Sequence, residues 1–279
     1  MLGSELRRQA PLDVFTVGTD VREAPGVEAG DISLADARDV AELFWRWGPF
    51  SGVLHCAAFT AVDLAEEKED EARRSNEIAT LEIARNCARD SVPLVVVGTD
   101  FVFDGTSKRP YREDDPVNPV SAYGRTKLAA ERAALEAHPS GTAVVRTQWL
   151  YGPRGKHFPG TILELAKTRK ELKVVNDQVG CPTTTLELAP ALWDVLLARA
   201  TGIFHAACEG ECSWYDLAVA TLQGAGVSDV KVAPCTTAEF PRPAKRPAYS
   251  ALDSSKLAAL RGKRLAPWRE ALASFLRQG

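Results

Sequence analysis

Short apolar runs alternate with longer helix-forming segments through the first half of the chain, and this alternation restricts the possible folds more than any other feature. The predicted strands are Val14 to Val17, Val53 to His55, Leu94 to Val97 and Val144 to Arg146; the predicted helices are Ala35 to Trp47, Glu69 to Asp90 and Ala122 to Ala137. Strands separated by helices pair in parallel rather than through tight turns. The sequence therefore predicts an α/β fold with a doubly wound parallel sheet, covered by helices on both faces.

The pattern becomes more mixed after about residue 150. It predicts a short strand at Val174-Val175, helices at Thr161 to Arg169 and Leu186 to Ala200, and a proline-rich stretch from Pro234 to Pro247. Ser213, followed three residues later by Asp216, is typical of a helix start. Residues 1–150 are thus predicted to form the doubly wound domain. Residues 151–279 are predicted to form mainly a smaller lobe that covers a substrate and is interleaved with the first domain.

The composition is that of an ordinary globular protein. Of the 279 residues, 45% are hydrophobic and 25% charged, and the net charge of −3 gives no reason to expect nucleic acid or an anionic membrane as a partner. No apolar stretch approaches the roughly 20 residues that span a bilayer, and the first residues lack the apolar core of a secretion signal. We therefore expect a cytoplasmic protein.

Six cysteines stand at positions 56, 87, 181, 208, 212 and 235, scattered along the chain. In a cytoplasmic chain of this size they are expected to be reduced thiols. His205, Cys208 and Cys212 resemble metal ligands, but no second pair completes a four-ligand set at the usual spacing. No metal site is predicted.

Tyr123 and Lys127 are four residues apart in a predicted helix, so both side chains lie on one helical face. Thr99 directly follows a predicted strand, at the edge where open α/β sheets bind ligands. A lysine cation near a phenol favours the phenolate and is expected to lower the phenol pKa. A phenol that donates a proton and a hydroxyl that holds the same oxygen are suited to ketone reduction, which predicts Thr99, Tyr123 and Lys127 as catalytic residues.

Three further motifs follow predicted strands and are expected to converge on the same edge. They are Ala57-Ala58-Phe59-Thr60, Thr147-Gln148-Trp149 and Asn176-Asp177-Gln178. Small side chains at Ala57 and Ala58 would let a flat cofactor approach the backbone, although two alanines that end a strand are more often plain packing. Trp149 could cover a sugar or a base, although an aromatic side chain in this position is commonly part of the core.

Taken together, these motifs resemble the dTDP-4-dehydrorhamnose reductase family of the extended short-chain dehydrogenase/reductases. The matching stretches are 57–63, 99–105, 123–127, 176–183 and Arg246-Pro247. The resemblance implies a Rossmann-like NAD(P)-binding domain and NADPH- or NADH-dependent reduction of dTDP-4-dehydrorhamnose to dTDP-L-rhamnose.

The family resemblance also implies roles for individual residues. Catalysis would fall to Thr99, Tyr123 and Lys127; cofactor binding to Gly3, Asp20, Asp31, Ile32, Ala57, Ala58, Thr60, Tyr123 and Lys127; and binding of the sugar nucleotide to Thr99, Asp100, Trp149, Gln178 and Arg246. Some members use a magnesium ion at a dimer contact, so a homodimer is one assembly that the resemblance allows. The sequence does not place ligands for such an ion.

One departure from the family pattern concerns the start of the chain. The family opens with a strand and a glycine turn that holds the pyrophosphate, whereas here Gly3 matches the last of three such glycines. Met1 is therefore expected to be an internal methionine of a longer natural protein. The cofactor stays open between NADH, which Asp20 would favour through the ribose diol, and NADPH, whose phosphate Arg22 could accept.

Two other functions remain compatible with the sequence. A nucleotide-sugar epimerase or dehydratase would share the fold but regenerate its cofactor. A regulatory or binding homologue would have lost turnover, a hypothesis that the incomplete glycine turn motivates. The presence of Thr99, Tyr123 and Lys127 together favours the reductase.

Overall fold

The computed structural model describes residues 1–23 and 26–277 of the chain. The helices are α1 Leu2–Arg8, α2 Ala37–Trp47, α3 Val62–Glu67, α4 Glu69–Arg73, α5 Ala79–Asp90, α6 Ala122–Ala137, α7 Phe158–Ala166, α8 Thr185–Leu197, α9 Trp214–Gly224, α10 Ser255–Arg261 and α11 Trp268–Leu276, with a π-helix Arg74–Ile78 and a 3₁₀ turn Asp100–Val102. The strands are β1 Val53–His55, β2 Leu94–Thr99, β3 Thr142–Thr147, β4 Leu150–Tyr151, β5 Glu171–Val175, β6 Val179–Gly180, β7 Thr183–Thr184, β8 Gly202–His205, β9 Cys212–Ser213 and β10 Lys231–Cys235.

The central sheet has the order β1-β2-β3-β8, and all three pairings are parallel. Helices separate these strands along the chain, and parallel neighbours require such crossovers. All four strands therefore end at the same edge of the sheet. The predicted parallel α/β sheet is confirmed.

Alternate residues of the central strands pack on opposite faces, as the period of two along a strand requires. Val96 and Val144 lie in a core with α2, α5 and α6. Val95 and Val145 lie in a second core, which Leu188 and Leu192 of α8 help to form. Helices thus cover both faces, and the doubly wound arrangement is confirmed.

The predicted strand Val14 to Val17 is wrong. Within the described residues this segment pairs with no strand, and the Phe15 side chain is 82% exposed. A β-branched run forms a strand only where a neighbouring strand pairs with it. Val14 and Val17 pack against the cores, but among the described residues no strand pairs with the segment. In the loop residues 18–23 and 26–29, Glu28 pairs with Arg7 of α1 at 2.7 Å.

The region after residue 150 contributes to both parts of the molecule. Strand β8 adds to the central sheet beside β3, and α8 packs on one of its faces. The other later strands form small two-stranded sheets, of which β5 with β10 is the longest. The division at residue 150 stays a prediction. Among the helices described, none is long and apolar enough to cross a membrane.

Candidate functional site

The predicted catalytic residues lie at the carboxyl edge of the central sheet. Thr99 is the last residue of β2, and Tyr123 and Lys127 occupy the first two turns of α6, which packs against β2. The Thr99 hydroxyl lies close enough to the Tyr123 phenol to oppose the rise in the pKa of Tyr123. The phenol ring is partly exposed, and its edge-to-face contact with Phe101 has a centroid distance of 5.4 Å. Two hydroxyls suited to one substrate oxygen are therefore adjacent.

Lys127 lies deeper than Tyr123 and is only 4% exposed. Its ammonium donates a hydrogen bond to the carbonyl oxygen of Val97 at 2.7 Å. Burial lowers the pKa of Lys127 to about 8, while the Glu131 carboxylate opposes this change. An ammonium has three protons, so two remain for a ligand at this edge.

The pKa of the phenol is shifted in the direction opposite to the one expected from the sequence. Burial raises the pKa of Tyr123 to about 12, and the charges of Asp100 and Glu131 add to the rise. Lys127 does not counter this rise, and its ammonium donates instead to the Val97 carbonyl. The expected lowering of the phenol pKa by Lys127 is therefore wrong. At neutral pH the phenol keeps its proton, which is the form that a proton donor requires.

Several contacts fix the first turns of α6. Ser121 caps the helix, and its hydroxyl accepts from the Gly124 N–H at 3.2 Å. Arg125 pairs with Glu69 of α4 at 2.7 Å. Asn76 of the π-helix donates to Thr126 at 2.9 Å and accepts from the backbone N–H of Phe59 at 2.8 Å. The loop after β1 and the catalytic helix are thus held together by one buried amide.

Unpaired polar atoms mark the same edge as a place for a ligand. Asp100 Oδ2, Thr147 Oγ1 and Gln148 Nε2 are buried without a hydrogen-bond partner among the described residues. Such groups are rare in native proteins unless water or a ligand completes them. Burial also raises the pKa of Asp100 to about 7. The Thr99 hydroxyl donates to Asp100 at 3.2 Å, so it must rotate before it can donate to a substrate.

Residues predicted to bind the cofactor surround the end of β1. A Cβ on Gly3 would lie 3.4 Å from the Cys56 sulfur. The charges of the N-terminal amine, Lys127 and Asp20 also act on the pKa of the Cys56 thiol. Ala57 and Ala58 follow directly and, with Thr60, are at least partly exposed.

The loop that carries Asp20 also places Ile32 beside it, because the Ile32 N–H donates to the Asp20 carbonyl at 3.3 Å. Asp20 lies in irregular backbone, directly after the isolated bridge between Thr19 and Ala29. Asp31 adopts the left-handed region with φ of 56° and is exposed. The exposed or partly exposed alanines and the two free ammonium protons of Lys127 fit the nicotinamide half of a dinucleotide. The exposed carboxylate of Asp20 fits the diol of a ribose in the dinucleotide.

Trp149 and Gln178 are brought together through a third residue that the sequence did not indicate. Trp149 stacks on Trp214 with ring centroids 3.6 Å apart, and the Trp214 indole N–H donates to Gln178 at 3.2 Å. The Gln178 amide also donates to Thr237 at 3.0 Å, so both ends of this amide are engaged. The two tryptophans form one flat apolar wall.

The position of Trp214 depends on the start of α9. Ser213 and Asp216 form the predicted capping box, in which the Ser213 hydroxyl accepts from the Asp216 N–H at 3.1 Å. We expect Ser213→Ala to lower the free energy of unfolding by about 1 kcal/mol, measured by urea denaturation. The control Ser51→Ala changes an exposed serine and should stay within about 0.5 kcal/mol of the wild type. Equal effects of the two changes would contradict the capping role.

Arg246 is committed to an ion pair in this structure. It donates to Asp63 at 2.8 Å and to the Ala244 carbonyl at 2.8 Å. Arg242 also pairs with Asp63, at 2.8 Å. Two guanidinium groups thus share one carboxylate, and the surplus positive charge suits a diphosphate. The role of Arg246 in substrate binding stays a prediction.

Sequence reasoning missed Asn76, the unpaired groups of Thr147 and Gln148, and the wall residue Trp214. Asn76 could have been suspected, because its buried amide interrupts the apolar face of a helix. Thr147 and Gln148 belong to a motif that follows a predicted strand, but the motif by itself indicates no role for them. Trp214 gave no signal, since its importance depends on stacking with a residue 65 positions away.

Metal binding receives no support from the part of the chain that the structure describes. There, no group of three or more His, Cys, Asp or Glu side chains is arranged to hold an ion. His205 instead faces Arg146 and the Tyr111 carbonyl, and Cys208 is a buried free thiol.

Comparison with known proteins gives consistent matches over the whole chain. The family model described as RmlD substrate binding domain matches residues 1–279. A dTDP-4-dehydrorhamnose reductase of Mycobacterium tuberculosis is 42% identical over 283 residues, which covers 99% of this chain and 89% of the relative. The crystal structure of a dTDP-4-dehydrorhamnose reductase from Clostridium acetobutylicum has a TM-score of 0.92 at 41% identity, covering 99% of this chain and 95% of that one. The Bacillus anthracis enzyme of the same name, in complex with NADP, has a TM-score of 0.89 at 29% identity, with coverage of 100% and 95%.

Proposed function

This chain belongs to the RmlD substrate binding domain family, and we propose that it reduces the 4-keto group of a nucleoside-diphosphate 6-deoxy-4-keto sugar with NADPH or NADH. The proposed substrate is dTDP-4-dehydrorhamnose, which would yield dTDP-L-rhamnose. The observation that carries the proposal is that the Thr99 hydroxyl lies close to the Tyr123 phenol at the edge of the sheet where β2 ends. The names of relatives that are 41–42% identical support the choice of sugar.

The three catalytic side chains divide the work of ketone reduction. When bound, the nicotinamide supplies a hydride to the carbonyl carbon. Tyr123 donates its phenolic proton to the oxygen as negative charge develops there, and the Thr99 hydroxyl holds that oxygen in place. The newly formed alcohol keeps the proton, and the phenolate is reprotonated from solvent.

Lys127 and the tryptophan wall would position the two reactants. The two free protons of the Lys127 ammonium would hold the ribose hydroxyls of the cofactor beside Tyr123. Trp149, backed by Trp214, presents an apolar face of the kind on which a sugar ring or a base packs. Arg246 would reach the diphosphate after it exchanges Asp63 for the more highly charged ligand.

The proposed function is tested by following NADH and NADPH absorbance separately with dTDP-4-dehydrorhamnose and the purified chain. We expect steady oxidation of at least one cofactor, with one molecule consumed for each dTDP-L-rhamnose formed. An epimerase or dehydratase of the same fold would form product without net cofactor consumption. A binding homologue would form no product, and either result would overturn the proposal. A cytoplasmic location and a homodimer stay predictions from the sequence.

A further inference from the structure

A buried ion pair lies beside the proposed catalytic groups. Glu131 of α6 and Arg146 of β3 have side chains that are each 2% exposed. Their nitrogen–oxygen contacts are 2.8, 3.0 and 3.3 Å. Apolar residues of similar volume are often as stabilising as such a pair, or more so. A contribution to stability therefore does not by itself account for this pair.

Strand β2 passes close to this pair at Gly98, which stands between Val97 and Thr99. A Cβ on Gly98 would lie 2.5 Å from Glu131 Oε1 and 2.9 Å from the Arg146 Cγ. The absence of a side chain at Gly98 therefore lets the ion pair lie against the backbone between two residues of the site. The pair is thus next to the carbonyl that holds Lys127.

The far side of Arg146 faces a neutral group. His205 Nδ1 lies 3.0 Å from the Tyr111 carbonyl, an acceptor, so this nitrogen carries the proton. His205 Nε2 is then free to accept from Arg146 at 3.5 Å. Burial and Arg146 lower the pKa of His205 to about 3, so the ring is uncharged. Glu131 is thus the carboxylate that pairs with Arg146 in the described part of the chain.

The near side of Glu131 faces Lys127, one helical turn away on α6. From β1 and its end, His55 and Cys56 also approach the ammonium, and Tyr123 lies on the same helical face. Burial lowers the pKa of His55 to about 3 and raises the pKa of the Cys56 thiol, so both are uncharged at neutral pH. The phenol of Tyr123 is protonated as well. Within the described residues, Glu131 is thus the anion that acts on this ammonium.

We propose that Glu131, fixed by Arg146, is a positioning residue that keeps Lys127 protonated and ready to bind the cofactor ribose. The proposal rests on the function proposed above for Lys127. Burial by itself favours the neutral amine, and a neutral amine has fewer protons to donate. Burial raises the pKa of Glu131, and the guanidinium of Arg146 opposes that rise and so favours the ionised carboxylate.

The variant Glu131→Gln keeps the shape of the side chain and removes its charge. We expect the basic limb of the pH profile of kcat/KM to move toward acid by about one pH unit. Because the pKa of Lys127 is about 8 in the wild type, this shift would lower kcat/KM at pH 8 about five-fold, with little change at pH 6. The affinity for NADPH, measured by fluorescence titration across the same pH range, should shift in parallel.

A direct readout needs neither substrate nor cofactor. In protein labelled with ¹³C at the lysine Cε, the NMR titration of Lys127, assigned with Lys127→Met, should move to lower pH in Glu131→Gln. The matched control Glu136→Gln makes the same change at an exposed position of the same helix and should leave the titration unmoved. If Glu131→Gln does not fold, the same titration is measured in the double variant Glu131→Gln/Arg146→Met. This variant leaves no unpaired buried charge, and its Lys127 titration should also move to lower pH.

The outcomes separate this inference from the proposed function. An unchanged Lys127 titration together with a uniform loss of activity at every pH would show a purely structural role and overturn the inference. A shifted titration in a protein that does not oxidise NADPH or NADH with dTDP-4-dehydrorhamnose would support the electrostatic role of Glu131. In that case the proposed function would be contradicted, and the inference about Glu131 would stand.

Discussion

Tyr123→Phe is expected to lower kcat by about 10²–10⁴-fold while the substrate still binds, because the lost proton donor is needed only in the transition state. The ring should keep its place, since its edge-to-face contact with Phe101 does not involve the hydroxyl. The Thr99 hydroxyl and the cofactor site also remain in the variant. The measurement is a comparison of kcat with the dissociation constant of the sugar nucleotide at pH 7.

The matched control for this change is Tyr215→Phe. Tyr215 is a partly exposed tyrosine of α9, away from the catalytic helix. We expect its variant to retain wild-type kcat. If Tyr123→Phe turns over as fast as the control, Tyr123 is not the proton donor.

Gly124→Ala is the second change with a large expected effect. A Cβ at this position would lie 2.3 Å from the backbone carbonyl oxygen of Phe101 and 3.0 Å from Pro119 Cβ. Backbone atoms cannot rotate away, so α6 would have to move off the segment that follows Thr99. Overpacking of this kind typically costs about 1–3 kcal/mol. A displacement near 1 Å between Tyr123 and Thr99 would lower kcat by about 100-fold.

The control for Gly124→Ala is Gly224→Ala, at the end of α9. There the new Cβ would meet only the flexible end of Leu276, at 2.6 Å. In a helix without a clash, alanine is about 0.5–1 kcal/mol more stable than glycine. Urea denaturation should therefore show a loss of stability for Gly124→Ala and no comparable loss for Gly224→Ala. Similar stabilities for the two variants would contradict the close approach of α6 to Phe101.

The sequence predicted those features that depend on local periodicity. Helix α6 has the predicted bounds, Ala122 to Ala137, and three of the predicted strands form neighbouring members of the central sheet. The capping box at Ser213 is also as predicted. Each of these signals lies within a few residues of the feature that it predicts, so a single sequence is sufficient to reveal it.

Features that depend on distant partners were missed or predicted wrongly. Val14 to Val17 has strand composition but lacks a neighbouring ladder in the described residues. The predicted helix Glu69 to Asp90 contains the π-helix Arg74–Ile78, and nothing in its periodicity distinguishes that turn. The ion pair of Glu131 with Arg146 joins a helix to a strand 15 positions away. The direction of the Tyr123 pKa shift likewise depends on burial, which the spacing of Tyr123 and Lys127 does not reveal.

The most direct test of the account is to trace the hydride. The enzyme is supplied with NADPH or NADH carrying deuterium at both C4 positions of the nicotinamide, together with dTDP-4-dehydrorhamnose, and the product is analysed by NMR and mass spectrometry. The arrangement of Thr99, Tyr123 and Lys127 predicts one deuterium per product molecule, bonded to C4 of the sugar. Product without deuterium, or deuterium at another carbon, would contradict reduction of the 4-keto group at this site.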